Sequence, residues 1–182
     1  MIKPVQNPIA QRSQAWLTDA LLSLMAQKPY ADISITEIAA RADLSRRTFY
    51  RLFDTREDVL AHWMETQYAV FCDRLRAEAP TDYLGVIRLY FTFWNERREI
   101  LSLLWKNDLF PLLSRQCARY FPEVFCRIKA DAPLARDPDA LRYAMSFSAG
   151  GLVSVLARWA EEGMRRTPDE MMRLIERFLP SG

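Results

Sequence analysis

Three arginines and a tyrosine, closely spaced between residues 45 and 53, are the side chains of this sequence best suited to binding a polyanion. Arg46, Arg47, Tyr50 and Arg51 lie in this segment, which contains no acidic residue. Guanidinium groups match phosphate oxygens and guanine O6 and N7, and a tyrosine hydroxyl suits a phosphate. A basic run is also common on an ordinary solvated helix face, so both interpretations stay open on these residues alone.

The aromatic residues of the same segment predict that it has a buried side. Phe49 and Phe53 are four residues apart, so on a helix they share a face while the arginines point elsewhere. Ser45 is suited to cap this short helix, and a three-residue turn separates it from another short helix that begins with a capping box at Ser34 and Glu37. This pattern predicts a helix-turn-helix, whose second helix enters the major groove of DNA.

Longer helices are predicted on both sides of this motif. Asn7-Pro8 is a typical cap and first helical position, and the helix that follows must end before Pro29. Thr55 begins a long helix with acidic residues in its first turn. The motif is therefore supported by a helix before it and a helix after it.

Composition and spacing exclude several classes of function. The chain has 182 residues and only five glycines, whose positions form neither a dinucleotide-binding fingerprint nor a phosphate-binding loop. His62 is the single histidine, and Cys72, Cys117 and Cys126 contain no C-x-x-C pair, so we expect no metal site and no cofactor. No carboxylate has a nucleophile or base partner in the pattern, so we expect no enzymatic activity. We also expect no export signal and no membrane-spanning segment.

The sequence pattern in the remaining two thirds of the chain predicts further helices and no strands. Helices are expected at 83–94, 98–106 and 110–129, then from Pro138 to about Gly163, and finally after a capping box at Thr167 and Glu170. The fold class is thus all-α, with about nine helices. The last two helices carry apolar residues at three- and four-residue spacing, from which we predict a dimer interface at Leu141, Met145, Leu152, Val155, Trp159, Met171, Ile175 and Phe178.

The helix from Pro138 is apolar on more than one face. Beside the predicted interface, Ala144, Phe147, Gly151 and Ser154 form a second stripe with small residues. One face can therefore serve the core of the subunit and another a partner helix. The alternative is that Gly150 and Gly151 only allow tight packing within one subunit.

The segment around the basic run resembles the DNA-binding signature of the tetracycline-repressor (TetR) family. The residues that carry the resemblance are Ile35-Thr36-Glu37-Ile38-Ala39, Leu44-Ser45-Arg46-Arg47-Thr48-Phe49-Tyr50-Arg51-Leu52-Phe53 and Arg56-Glu57-Asp58-Val59-Leu60. The resemblance covers about residues 9 to 61. It departs from the family at Asp43, where glycine is common, and at Leu52, where many members have a polar residue.

The resemblance implies a helix-turn-helix domain over residues 1–55 and a helical effector-binding and dimerisation domain over residues 56–182. Tyr50 and Arg56 would contact phosphates, Thr36, Arg46, Arg47 and Arg51 would lie near bases or backbone, and Ser34 would cap the second helix. The full set expected at the DNA comprises Ser34, Thr36, Ser45, Arg46, Arg47, Thr48, Tyr50, Arg51 and Arg56.

The resemblance also implies a small-molecule site among the aromatic residues of the middle helices, for which we expect Phe91, Trp94, Trp105, Phe121 and Phe147. A bulky apolar or aromatic effector is favoured over a multivalent cation. The function implied is a dimeric, cytoplasmic repressor that binds a palindromic operator and is released by an effector. The alternative is an activator or co-regulator that acts through a protein partner, with no small effector.

Overall fold

The computed structural model describes residues 7–128 and 133–178, and this part of the chain contains helices and turns but no strand. Its α-helices are α1 Pro8–Met25, α2 Ile35–Arg41, α3 Arg46–Leu52, α4 Arg56–Glu78, α5 Tyr83–Asn95, α6 Arg98–Lys106, α7 Phe110–Ile128, α8 Pro138–Glu161 and α9 Pro168–Ile175. Two short 3-10 helices lie at Tyr30–Asp32 and Pro133–Arg136. The predicted all-α fold class is confirmed, with nine α-helices among the described residues.

Local capping sets where several helices begin. The Asn7 side chain accepts a hydrogen bond from the Ile9 N–H at 2.9 Å, which starts α1. Ser34 and Thr167 each form a complete capping box, at the starts of α2 and α9. Capping satisfies backbone N–H groups that have no partner within the helix, so these starts follow from the nearby residues alone.

The described residues form two compact units, and the boundary between them falls within α4, between Gln67 and Tyr68. The sequence places the boundary earlier, at 55/56, where α4 begins. His62 of α4 packs against Phe53 with ring centroids 5.6 Å apart, so the beginning of α4 belongs with the helices that precede it. Each unit is described separately below.

In the first unit, α1, α2 and α3 pack against one another around an apolar core. The core is formed by Leu17, Leu21, Ile38, Phe49 and Leu60, each at most 1% exposed. Burying such side chains stabilises each by roughly 1.5–3 kcal/mol relative to leaving it in water. Three helices of this size therefore have a substantial core to hold α3 in place.

In the second unit, α8 packs against α6 and α7, and α9 packs against α5. Phe91 of α5 meets Trp159 of α8 edge to face at 5.6 Å, and both side chains are almost fully buried. Arg88 of α5 also forms exposed ion pairs with Asp169 and, at 3.9 Å, with Glu176. The second unit thus has an aromatic core of its own.

By length and composition alone, α8 is able to cross a bilayer, which differs from the expectation of no spanning segment. The helix extends beyond the uncharged stretch between Arg142 and Arg158, so its length reaches 24 residues. One of its faces is buried against α6 and α7, and a core helix of a water-soluble protein has the same composition. The composition of α8 is therefore weak evidence for a membrane.

Candidate nucleic-acid interface and ligand cavity

The turn between α2 and α3 depends on a left-handed residue at Asp43, whose φ is 54°. The Asp43 N–H donates to the Ala40 carbonyl at 3.1 Å, and the Leu44 N–H donates to the Ala39 carbonyl at 2.9 Å. Aspartate is among the non-glycine residues that adopt this conformation most readily. Asp43 therefore makes the turn that glycine commonly makes in the TetR signature.

The inward face of α3 is aromatic and aliphatic, as the sequence predicts. Phe49 and Phe53 are both 0% exposed and their ring centroids lie 6.0 Å apart. Leu52 is also buried, at 1% exposed. Its side chain consequently belongs to the core, and a phosphate contact is not expected from this position.

The outward face of α3 carries the hydrogen-bond donors. Arg46, Arg47 and Arg51 are exposed, and Tyr50 is 43% exposed. The Arg46 guanidinium carbon lies 6.0 Å from the centroid of the Tyr50 ring. None of the three arginines forms an ion pair with an acid in the described part of the chain, so their charge is available to a phosphate or a base edge.

Ser45 and Thr48, which were predicted to contact DNA, form hydrogen bonds with each other inside the motif. The Ser45 hydroxyl accepts from the Thr48 N–H at 3.0 Å and lies 3.0 Å from the Thr48 hydroxyl. These bonds cap α3 and so set the direction in which it begins. Thr36 lies exposed in the first turn of α2, next to the capping box.

The capping box of α2 is strengthened by Lys28, which lies three residues beyond the end of α1. The Ser34 hydroxyl donates to the Glu37 carboxylate at 2.8 Å, and Lys28 Nζ lies 2.6 Å from the same carboxylate. The hydrogen bond from Lys28, with further bonds from Ser34, lowers the pKa of Glu37 to about 2. Glu37 therefore remains an anion at neutral pH and helps to fix the start of α2.

Arg56 has a different environment from the one implied by the TetR resemblance. Its Nη1 donates to the carbonyl oxygens of Ala31 at 2.9 Å and Ile33 at 2.6 Å, and its guanidinium carbon lies 4.6 Å from the Tyr30 ring centroid. Burial raises the pKa of Tyr30 to about 12, so this ring stays neutral beneath the cation. Arg56 thus ties the start of α4 to the segment that leads into α2.

A cavity of about 120 Å³ lies inside the second unit. Phe71 of α4 lines it together with one stripe of α5, formed by Tyr83, Val86, Ile87 and Tyr90. The α5 residues are spaced by three and four positions, so they share one face of the helix. Phe71 meets the Tyr90 ring edge to face at 6.3 Å.

The opposite walls of the cavity come from α7 and α8. They consist of two stripes with the same three- and four-residue spacing, namely Phe121, Val124 and Phe125 on α7 and Met145, Ser148 and Leu152 on α8. Close-packed interiors contain few voids of this size, and this one is open on part of its surface. A ligand that fills the space would bury its apolar lining.

Most of the residues predicted for the ligand site lie outside this cavity. Phe121 lines the cavity, whereas Phe91 and Trp94 lie elsewhere in the core, at 0% and 4% exposed. Trp105 packs on Phe110 near the surface, and Phe147 is 85% exposed. The number of aromatic residues in a helix does not show which of them line a cavity and which lie in the core or at the surface. The sequence signal that was missed is the three- and four-residue spacing of the lining residues on α5, α7 and α8.

Most residues of the predicted dimer interface are buried within the subunit. Five of the eight residues are at most 8% exposed, namely Leu141, Met145, Trp159, Met171 and Ile175. Leu152 and Val155 are half-buried, and Met145 and Leu152 line the cavity. Phe178 alone is largely exposed, at 64%. The regular three- and four-residue spacing identified the face of α8 that packs on its own subunit.

The exposed apolar surface of α8 lies on its other side. It consists of Tyr143 at 71% exposed and Phe147 at 85% exposed, followed by the half-buried Gly150 and the exposed Gly151 and Ser154; we call this set the α8 stripe. A Cβ atom added at Gly150 or Gly151 would meet nothing within 4 Å. Tight packing within the described subunit therefore does not explain these glycines.

Comparison with known proteins gives matches over both units. Residues 17–62 match the family model for bacterial regulatory proteins of the tetR family, and residues 82–181 match the model for a transcriptional regulator C-terminal region. A solved structure titled as the fatty acid degradation regulator FadR from Bacillus halodurans is 17% identical, with a TM-score of 0.63 over 96% of this chain and 95% of that chain. At that identity the likeness shows the fold. No match was found among curated proteins.

Proposed function

This chain belongs to the TetR family of bacterial regulatory proteins, a family of transcriptional regulators, and from that premise we propose its mode of action. The proposal is a cytoplasmic homodimeric repressor that binds a palindromic DNA operator through α3 of each subunit. A small molecule in the cavity of the second unit releases it from DNA. The observation that carries the proposal is the geometry of α3, with its aromatic side buried and three arginines exposed.

Contact with DNA is supported by the separation of roles within the motif. Phe49, Leu52 and Phe53 anchor α3, while Arg46, Arg47 and Arg51 remain outside. Arginine is the residue that most often reads guanine in the major groove, and it binds phosphates equally well. We therefore assign the three arginines and Tyr50 to the operator, and we assign Ser34, Ser45, Thr48 and Arg56 to holding the motif in shape.

Dimerisation is supported by the α8 stripe. Exposed aromatic side chains next to glycines form an apolar surface that a second helix can approach closely. Leu174 and Phe178, at 38% and 64% exposed, add apolar surface near the end of the described chain. We assign this surface to contact with a second copy, because a two-fold pair of helix-turn-helix units reads two half-sites on one face of the duplex.

The effector role is supported by the cavity and by the course of α4. This helix begins at Arg56, which is bonded to the segment leading into α2, and it carries Phe71, which lines the cavity. We propose that an effector prefers one of two positions of α4 and thereby changes operator affinity. Such coupling is typically worth ~1–3 kcal/mol, a change of roughly 5- to 150-fold in affinity.

The test is selection of bound DNA from a random pool, followed by affinity measurements over a range of salt concentrations. We expect a palindrome whose half-sites lie about one helical turn, or a multiple of it, apart. The logarithm of the affinity should fall with the logarithm of salt by about 0.9 for each phosphate contact. A pool without an enriched sequence, together with a flat salt response, would refute the proposal.

Single substitutions refine the same measurement. Replacing Arg51 with Ala should reduce the salt slope by about 0.9 if its guanidinium binds a phosphate. Replacing Arg56 with Ala is the matched comparison, since this arginine bonds to Ala31 and Ile33. We expect it to lower thermal stability and to leave the salt slope near that of the wild type. If Arg56→Ala instead reduces the salt slope of the affinity, Arg56 contacts a phosphate.

A further inference from the structure

The surface that lines the cavity of the second unit is almost entirely apolar. Tyr83, Tyr90 and Ser148 belong to the lining, but polar atoms contribute almost nothing to the surface that faces the space. The lining residues of the described chain include no charged side chain. A polar group placed inside would lose its hydrogen bonds to water and gain none in return, which is unfavourable. The interior therefore suits a hydrocarbon group.

The exposure of the lining residues indicates where the cavity is closed and where it opens. Ile87 of α5 and Met145 of α8 are 0% and 6% exposed, so they lie at the closed part. Tyr83 is 39% exposed, and Ser148 and Leu152 are half-buried. The space is open on part of its surface, and the more exposed residues mark the side of the opening. A ligand can therefore bury one end and leave the other in water.

The volume of the cavity limits the size of the buried end. At about 120 Å³ it is somewhat smaller than the engineered apolar cavity of roughly 150 Å³ that binds benzene. About six carbon atoms, in a ring or in a chain, are therefore the most that the space holds. Burial of such a group gives affinity without a hydrogen bond, about fourfold for each CH2 group. The bulky effector favoured by the sequence is larger than this space.

We propose that the cavity binds a hydrocarbon group of about six carbons by burial alone, while any polar group of the ligand stays hydrated at the opening. This inference rests on the effector role proposed above and names the class of the effector. The effector is a small molecule with one uncharged apolar end. A molecule of the same length with a polar group at each end is rejected, because one of the two groups must enter the apolar interior.

The experiment is a nuclear magnetic resonance titration of the full-length protein, labelled with 13C at the methionine methyl groups. The signal of Met145, which lines the cavity, reports binding there and is identified by its absence in Met145→Leu. Met25 and Met64 lie in the first unit and are buried, so their signals are the internal controls. We expect 1-hexanol to shift the Met145 signal and to leave those two unchanged.

A series of straight-chain alcohols measures the length of the buried end. From 1-butanol to 1-hexanol, the affinity obtained from the Met145 signal should rise about fourfold with each added CH2 group. The rise should stop near 1-hexanol, because further carbons extend beyond the closed part of the cavity into water. We expect 1-octanol to bind no more than about twofold more tightly than 1-hexanol.

The pair of 1-hexanol and 1,6-hexanediol tests whether the interior accepts a polar group. Both chains have six carbons, but the diol carries a hydroxyl at each end and must bury one of them. Burial of a hydroxyl without a hydrogen bond should weaken binding of the diol by roughly 5- to 150-fold relative to 1-hexanol.

Two phenylalanine variants on α8 make the assignment specific. Ser148→Phe places a ring in the wall of the cavity and should weaken 1-hexanol binding by at least about 10-fold. Ser146→Phe is the matched control, because Ser146 is exposed on the same helix and does not line the cavity. The signals of Met25 and Met64 show whether the first unit remains intact, and circular dichroism shows whether the helices do. If Ser148→Phe does not fold, the wild-type titrations decide the inference without it.

Four results would each overturn the inference. They are a Met145 signal that 1-hexanol does not shift, an affinity that is flat along the series or still rises steeply at 1-octanol, a diol that binds as tightly as 1-hexanol, and a folded Ser148→Phe variant with wild-type affinity. The titrations contain no DNA, so these results leave DNA recognition by α3 untouched. If 1-hexanol binds as expected but does not change operator affinity, the ligand class stands and the effector role is refuted.

Discussion

Helices α3 and α8 each bury one face, but the faces that they expose are chemically opposite. α3 exposes Arg46, Arg47 and Arg51, whereas α8 exposes Tyr143 and Phe147 beside two glycines. Guanidinium groups favour phosphates and base edges, while an exposed apolar stripe favours another protein surface. The exposed side of a helix, rather than its overall composition, therefore indicates the class of partner that it meets.

The two helices also differ in what holds them. α3 has only seven residues, and its start is set by the Ser45 cap and its position by buried aromatic rings. α8 has 24 residues and is placed by packing along α6 and α7. A short helix is barely stable by itself, so α3 depends on its neighbours for existence as well as for position. Substitutions in the two helices should therefore have different consequences.

The largest effect is expected from removing the aromatic anchor of α3. Phe49→Ala should lower the free energy of unfolding by ~3–5 kcal/mol, because a fully buried ring leaves a cavity. Urea denaturation followed by circular dichroism measures the change. Arg47→Ala, on the exposed face of the same helix, is the control and should change stability by less than about 0.5 kcal/mol. Similar losses in both variants would mean that α3 does not have distinct inner and outer faces.

The next effect concerns the α8 stripe. Phe147→Ala should weaken the dimer by ~2 kcal/mol or more, about a 30-fold rise in the dissociation constant, if Phe147 is a central contact. Sedimentation equilibrium over a range of protein concentrations measures this constant. Arg76→Ala is the control, since Arg76 is exposed on α4 and its guanidinium pairs with Asp73. A dimer of unchanged affinity in Phe147→Ala would assign the interface to another surface.

A smaller and more specific effect is expected on the outer face of α3. Arg47→Ala should reduce affinity for the selected operator by ~1–3 kcal/mol and relax the preference at one base position. Fluorescence anisotropy with a set of single-base operator variants measures both quantities. An equal loss on every sequence would instead assign Arg47 to a phosphate.

The smallest expected effect is a pH dependence of the free energy of unfolding, which arises from the capping box at the start of α2. The hydrogen bond from Lys28 and those from Ser34 lower the pKa of Glu37 from 4.5 to about 2. Because the folded-state pKa is depressed, this stabilisation is present above about pH 4.5 and is lost as the pH falls towards about 2. The stability of Glu37→Gln should therefore approach that of the wild type over this interval.

Urea denaturation at a series of pH values tests this expectation. Glu170→Gln is a matched variant in the second unit, where hydrogen bonds from Thr167 also lower the pKa of Glu170. Glu170 lacks a partner equivalent to Lys28 in the described structure, so its pH effect should be smaller. If the wild type and Glu37→Gln lose stability in parallel, the capping box does not contribute in the way proposed.

Much of the DNA-binding motif follows from short-range chemistry. Ser34 and Ser45 cap α2 and α3 because their side chains reach backbone N–H groups only three residues away. Phe49 and Phe53 lie on one face because a helix returns to the same side after about four residues. The fold class, the family and the orientation of α3 were all predictable from such local rules.

The cavity and the subunit surface were less predictable because they depend on contacts between distant segments. Met145 and Phe147 are two positions apart on α8, yet one lines the cavity and the other is 85% exposed. Both are large and apolar, so their residue types do not distinguish these environments. The same limitation applies to Arg56, whose partners at Ala31 and Ile33 precede it by more than 20 residues.

The amino-acid sequence by itself determined the positions of the helices, the caps at their ends and the division of α3 into an aromatic and a basic face. Each of these depends on residues within one or two helical turns of one another. Tertiary structure alone decided which apolar face of α8 is covered and which aromatic residues line the cavity. The physical reason is that burial depends on which helix lies opposite, and periodicity along a single helix does not specify its neighbour.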